Sequence, residues 1–527
     1  MGEEYMITSL LDCFEKTVTR KPEKIAVRHR DQTISFAELK QKAQYFGNGL
    51  VKKYGCDDKR PLAVFLPKEI HTVVADLSIM YACRPFMNLD VKTPMERIAN
   101  IIKLVQPIAV ITSAKYIPLF AEVDIDVIDM DNYTYREQGD IQQLAIMRKQ
   151  WIDTDPLCII NTSGSTGTPK GVVLNTRSFL DFIRWADERF HFDSSEIMGS
   201  LSPVVFDIFD YELVMLMVHG TQLVLLDPML ASFPAKLLQV MQETKVNFIF
   251  WVPSIMVNIA NMGLLDKLPL PELRMVWFAG EVFPTKQFNV WYDHLPQATF
   301  VNLYGPIEIT LDCIFHVVTE RPQENEPLPI GLPCHNTDIL LLDEVDQLCQ
   351  TGQAGEICVR GTSLAMGYYN NPEKTQAAFT QNPLQHAYPE YIYRTGDIAY
   401  RDEKGLYHFK GRKDSLIKHM GYRIELGEIE HVLENDLKLV KYCCAVYQYA
   451  RKEIMLFYQG EQAAEGKEFR QKLMQEFPNY MIPKAFIHLT ELPRNTNGKI
   501  DRLLLKNIVN ECKTIEEGLQ ANGLKKV

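Results

Sequence analysis

The stretch Thr162 to Gly171, TSGSTGTPKG, sets three glycines, a proline, a run of hydroxyl side chains and one lysine in ten positions, after the apolar run LCII. This composition has two readings. One is a slack, solvated linker. The other is a loop whose backbone N–H groups and single cation hold phosphate oxygens. The P-loop pattern does not apply, because Pro169 precedes Lys170 and no Ser or Thr follows the lysine. The dinucleotide GxGxxG spacing fails as well. What stays open beside the linker is a phosphate loop of another type, set between two strand-like segments.

Those segments belong to a long α/β pattern. PLAVFLP (Pro61 to Pro67), IAVIT (Ile108 to Thr112), GTQLVLL (Gly220 to Leu226) and VNFIFWV (Val246 to Val252) predict buried strands. Between them, Phe36 to Tyr54 and Ala231 to Lys245 carry apolar residues at helical spacing, which predicts largely parallel sheets with flanking helices. From about Gly355 short, turn-punctuated strands take over, and the Gly and charge cluster Gly411 to Ser415 predicts a boundary. At 527 residues the chain exceeds the size of a single core, so more than one domain is expected. With 46% hydrophobic and 23% charged residues it reads as an ordinary globular protein.

A net charge of −11 argues against a nucleic-acid or anionic-membrane partner, since both need a basic face. Eleven scattered cysteines without a CxxC pair suggest reduced thiols rather than a zinc ribbon or a disulfide framework. An acidic N-terminus and the lack of a membrane-length apolar run predict a cytoplasmic protein with no membrane insertion.

TSGSTGTPKG resembles the phosphate loop of the AMP-forming adenylating enzymes, the superfamily of acyl-CoA synthetases, luciferases and peptide synthetase adenylation domains. Further segments resembling that family follow in its order: NLYGPIE from Asn302, GEICVRG from Gly355, YRTGD from Tyr393, GRKDSLIKHMGYRIEL from Gly411 and NGKIDR from Asn497. The resemblance covers nearly the whole chain. It implies a large N-terminal domain of parallel-rich sheets with flanking helices and a small β-barrel-like region, residues 1–413. A small, mobile α+β C-terminal domain, residues 414–527, would turn on a hinge at Asp414. WVPSIM and WFAGEVFP look most like stand-alone amino-acid enzymes such as D-alanine carrier-protein ligases.

The chemistry so implied has two halves. The substrate carboxylate attacks the α-phosphate of ATP and expels pyrophosphate, and a phosphopantetheine thiol then takes the acyl group from the adenylate. The first step joins two anions, so the site needs cations and Mg²⁺. By the resemblance, Lys499 bridges carboxylate and phosphate, and Glu308 is the Mg²⁺-associated acid. Thr162, Ser163, Gly164, Ser165, Thr166, Gly167 and Lys170 form the phosphate loop, with Gly305 and Ile307 close to the α-phosphate. Asp397 takes the ribose hydroxyls with Arg412 nearby, Tyr304 stacks on adenine, and Asn302 hydrogen-bonds it. FDIFDYEL places Asp207 where the family binds the α-amino group of an amino acid. A carboxylate beside an apolar pocket pairs strongly with an ammonium ion. An acyl-CoA or aryl-acid ligase, or a degraded nucleotide-binding homologue, are the competing readings; Asp207 weighs against the former and the retained Lys499, Glu308, Asp397 and Arg412 against the latter.

Residue-by-residue matching gives Ile208, Tyr211, Phe250, Trp277, Ala279, Leu303, Leu311 and Asp312 as the lining for the substrate side chain. Three large aromatics there imply a shortened cavity, while Asp312 is out of keeping with it, and either reads a polar side chain or turns to a protein partner. Two other departures stand out. Ile307 replaces the family's usual threonine, which loses one hydrogen bond of about 0.5–1.5 kcal/mol. Cys83 and Arg84 replace small residues without a functional rationale. The chain ends soon after Arg502, so the expected acceptor is a separate carrier protein or small thiol.

Overall fold

The helix Phe36–Tyr54 starts where Ser35 accepts the Glu38 N–H at 3.2 Å and Glu38 accepts the Ser35 N–H at 2.9 Å, a reciprocal cap that satisfies two otherwise unpaired donors. It stops at Gly55, whose φ of +69° suits glycine. Gly47, inside it, has a different reason. A Cβ there would stand 2.8 Å from the Ser78 carbonyl oxygen, so its absence lets the helix lie against the helix Ile70–Tyr81.

The structure is a computed structural model that describes residues 9–55, 57–132, 141–162, 169–413, 416–459, 466–494 and 500–526. The chain divides into two compact units, one of Met1–Val91, Leu104–Ile160 and Gly171–Gly411, the other of Lys92–Lys103, Asn161–Lys170 and Arg412–Val527. A nine-stranded sheet runs in the order Leu332–Pro333, Ile314–Val318, Thr299–Tyr304, Met275–Phe278, Phe248–Trp251, Ile197–Ser200, Gln222–Leu225, Ile25–His29, Gln32–Ser35. Its strands from Thr299–Tyr304 to Ile25–His29 are parallel, each buried on both faces. A seven-stranded sheet has Leu62–Phe65 and Phe86–Asn88 at its centre. The third, antiparallel sheet curls Thr337–Leu342, Gly355–Gly361, Tyr391–Arg401, Phe379–Gln381 and Tyr407–Arg412 into a half-barrel. The fold is thus mixed α/β, with the half-barrel distinct from the two large sheets.

In the other unit, Tyr442–Gln448, Glu453–Gln459 and Ala485–His488 form a three-stranded sheet covered on both faces. Ala445, Tyr447 and Leu456 face Phe469 and Leu473, whereas Cys444, Val446 and Phe457 face Leu505 and Ile508. The strand's period of two thus sends the neighbouring Cys443 and Cys444 to opposite cores. Burial pushes the Cys444 thiol up to about 12 and Cys443 upward too, as expected for inert structural thiols. No helix among the described residues is long and apolar enough to cross a membrane.

Arg84 receives a structural account. Only 1% exposed, its guanidinium donates to the carbonyls of Tyr54 at 3.2 Å, Gly55 at 3.1 Å and Arg60 at 3.2 Å. It therefore closes the C-terminal end of the Phe36–Tyr54 helix, where a cation is favoured and carbonyls lack helical partners. Arg84→Met strands these oxygens and is expected to cost about 2–4 kcal/mol, read as a lowered urea midpoint. A midpoint unchanged from the parent chain would contradict the clamp.

Candidate functional site

The strand Thr299–Tyr304 delivers the chain into a tight loop. At Gly305 a Cβ would lie 2.2 Å from the Leu311 oxygen and 2.5 Å from the Asp312 Cα, so only glycine fits. A short 3-10 turn, Ile307–Ile309, is followed by Thr310 and Leu311 at φ of 51° and 64°. Two successive left-handed non-glycine residues store about 1–3 kcal/mol each. The Leu311 N–H donates to Asp207 Oδ2 at 3.2 Å, and the Cys313 N–H to the Tyr304 carbonyl at 2.8 Å. Asp207 thus ties this strained loop to the start of the helix Asp207–His219, where it is the first residue, half-buried, at the end that stabilises an anion.

Tyr304 donates its hydroxyl to Asp397 Oδ2 at 2.5 Å. Burial first, and then the Asp397 charge, hold the phenol well above its ordinary range. Asp397, 2% exposed, gives its N–H to Thr395 Oγ1 at 2.9 Å, and Thr395 in turn donates to the Ile357 carbonyl. Tyr304 and Asp397 therefore act as one rigid pair, with the Phe409 ring 6.4 Å from that of Tyr304. Asn302 donates its amide to the Pro329 carbonyl at 2.8 Å. Glu308, 1% exposed, accepts the Tyr368 hydroxyl at 2.8 Å, and its carbonyl accepts the Ala365 N–H. Ile307 is half-buried against the main core.

Thr162 ends the strand Pro156–Thr162 and Lys170 opens Lys170–Asn175, both half-buried. Arg412 ends Tyr407–Arg412. Ser163, Gly164, Ser165, Thr166, Gly167, Asp414 and Lys499 lie outside the described residues. On either side of Lys499, Arg494 and Ile500 form a β-bridge; beyond it, Asp501 caps the helix Arg502–Glu511 through the Leu504 N–H, and Arg502 pairs with both Glu430 oxygens at 2.6 Å.

Most of the side-chain lining named from sequence comes together. Tyr211, one helical turn after Asp207, stacks on Trp277 at 5.6 Å and 19°. Phe250, opposite Trp277 on the neighbouring strand, meets both rings edge-on at 5.8 and 5.6 Å. Ile208, Ala279, Leu303, Leu311 and Asp312 are all under 7% exposed. Two further contributors were not anticipated. Phe182 and Trp185, on the helix Thr176–Phe190, press on Trp277 at 6.2 and 6.0 Å. Their signal in the sequence is the three-residue spacing of Phe179, Phe182 and Trp185 along one helix face.

Residues 14–369 match the AMP-binding enzyme family. The chain belongs to that family. It is 29% identical over 515 residues to Zwittermicin A synthase ZmaJ of Bacillus cereus, with 95% of each chain covered. It is 30% identical over 505 residues to Delta-poly-L-ornithine synthetase of Acinetobacter baumannii; the match takes in 94% of this chain but 36% of that protein. The fold is similar to that of holo-PA1221, an NRPS protein containing adenylation and PCP domains, at TM-score 0.80 and 23% identity over 94% of this chain and 84% of that one. As an AMP-binding enzyme of the adenylation type, the chain uses ATP and is an AMP-forming ligase.

In this AMP-binding enzyme the carboxylates behind Asp207 are held differently from it. Asp210, 2% exposed, accepts the Cys158 thiol at 3.3 Å, and burial with the nearby Asp76 pushes it well above the carboxylate range. Asp76, wholly buried, accepts the Asn88 amide at 3.1 Å and is pushed by burial to about 8. Glu212 is pushed to about 7 beside Ser200, and burial lowers Lys68 to about 8. A carboxyl raised in this way is protonated in the fold and ionised in the unfolded chain, so folding binds a proton and stability falls as pH rises from about 4 to about 8. Asp76→Asn keeps the acceptor for Asn88 and is expected to stabilise the protein increasingly over that window, by up to about 1.4 kcal/mol per pH unit. Urea melts at pH 5.5 and 8 read the difference; an equal effect at both would show that Asp76 does not titrate there.

Proposed function

We propose that the protein activates an amino acid as its aminoacyl adenylate and passes the acyl group to the phosphopantetheine thiol of a separate carrier protein. The observation that carries this reading is Asp207, a half-buried carboxylate at a helix N-terminus, four residues before the buried aromatic cluster's Tyr211 and braced by the Leu311 N–H. Such a group suits a substrate ammonium, which a simple carboxylic acid lacks.

In the first half-reaction the substrate carboxylate forms a bond to the α-phosphorus as the bond to pyrophosphate breaks. Lys499 and the phosphate loop from Thr162 to Lys170 neutralise the gathered oxygens, Asp397 with Tyr304 fixes the ribose, and Asn302 reads adenine beside the Tyr304 ring. Arg412 adds positive charge beside the ribose. Glu308, oriented by Tyr368, offers one carboxylate and would hold an ion that takes its other ligands from phosphate oxygens. Mg²⁺ held so would supply charge neutralisation.

In the second half-reaction the thiolate attacks the acyl carbon and AMP leaves. Residues 414–527 would turn on Asp414 between the halves, withdrawing Lys499. The PCP domain in holo-PA1221 and the amino-acid-like site of this chain support a carrier partner, and a cytoplasmic location fits the proposed chemistry. The test is ATP–pyrophosphate exchange with matched pairs, alanine against propionate and glycine against acetate. Exchange at least about 100-fold faster with the amino acids is expected; equal exchange would overturn the amino-acid reading in favour of an acyl or aryl-acid ligase.

A further inference from the structure

We propose that the amino acid bound at Asp207 carries a side chain no larger than that of alanine or serine, and that Trp277, locked by a second layer of rings, sets this limit. The inference rests on the amino-acid reading and adds the size class to it. Tyr211 follows Asp207 by four residues, so it lies on the same helix face one turn further along, and it is fully buried. Tyr211, Phe250 and Trp277 are each 0% exposed, which leaves no water-sized space against any of the three. Small accessible surfaces remain on Ile208 at 6%, Ala279 at 5%, Asp312 at 4%, Leu311 at 3% and Leu303 at 2%. What can be reached of this lining is therefore confined to narrow edges outside the three rings, which leaves room for a short side chain.

The floor is not free to retreat. Trp277 has Phe190, Phe192 and Phe248 at 5.2, 5.5 and 5.3 Å in addition to Tyr211 and Phe250. Behind it Trp185 is itself wedged against Phe315 at 4.9 Å. Interiors at crystal-like density take extra atoms only by moving several rings together. The Trp277 Nε1 and Tyr211 Oη have no hydrogen-bond partner among the described residues, so ring packing alone holds the floor. Replacing Trp277 then costs no hydrogen bond, which makes the limit open to engineering.

The experiment is pyrophosphate exchange by the full chain with glycine, both enantiomers of alanine, serine, leucine, phenylalanine, ornithine and propionate. Glycine, alanine or serine is expected to exceed leucine, phenylalanine and ornithine in kcat/KM by about 100-fold or more. Trp277→Leu should raise kcat/KM for leucine or phenylalanine by about 10-fold or more, with the KM for ATP unchanged. Ala279→Leu, which fills the remaining space and leaves the buried rings alone, should lose alanine by about 10-fold or more while sparing glycine. This second variant carries the test if the first fails to fold. Leucine, phenylalanine or ornithine used as well as alanine by the unaltered chain would overturn the size limit and leave amino-acid activation standing. Turnover of propionate with refusal of every amino acid would overturn the underlying reading and the limit with it.

Discussion

Lys499→Ala is expected to reduce adenylate formation by about 1,000-fold or more, since it removes the cation proposed to bridge the substrate carboxylate and the phosphate oxygens. Transfer of the acyl group from a supplied adenylate to a thiol should stay within about 3-fold of the parent, because Lys499 is proposed to be withdrawn before that step. Stopped-flow or quench measurements of each half-reaction check this directly. Equal loss in both would show that Lys499 serves both halves and that residues 414–527 do not alternate as proposed.

Asp207→Ala should lower kcat/KM for the amino acid by about 100- to 1,000-fold, the 3–4 kcal/mol expected when one partner of a desolvated ion pair is removed. The KM for ATP should not move. Asp207 also accepts the Leu311 N–H, so alanine alone confounds charge with loop anchoring. Asp207→Asn keeps that acceptor and removes the charge. Loss in both variants supports the ammonium contact; activity retained in Asn but lost in Ala would assign Asp207 to bracing the Thr310–Leu311 turn instead.

Local signals carried much of this structure. The helix expected over Phe36 to Tyr54 forms over those residues because Ser35, Glu38 and Gly55 mark both ends. The four apolar runs read as strands contain Leu62–Phe65, Ala109–Thr112, Gln222–Leu225 and Phe248–Trp251. The segment Ala231 to Lys245 is helical only from Pro234, whose fixed φ suits a first turn, after a 3-10 turn at Pro228–Ser232.

What stayed hidden depends on partners far along the chain. Arg84 looked like an unexplained departure until its three carbonyl partners, 24 to 30 residues earlier, came into place. No sequence pattern marks Asp76 and Asp210, whose raised carboxyls come from burial in the fold. Phe182 and Trp185 gain their place only through Trp277, about ninety positions later in the chain. For the candidate site, Asp207, Tyr304, Glu308 and Asp397 are named from sequence because the motifs that carry them fix residue types at short spacing. The Tyr304–Asp397 hydrogen bond, spanning 93 positions, was not.

The central claim is that a carboxylate of the substrate becomes bonded to the α-phosphorus of ATP. Glycine or alanine labelled with heavy oxygen in the carboxylate, incubated with the protein, ATP and a thiol acceptor, tests it most directly by phosphorus NMR of the products. The account predicts one labelled oxygen in AMP and none in pyrophosphate. Label in inorganic phosphate, or AMP formed without label, would contradict it.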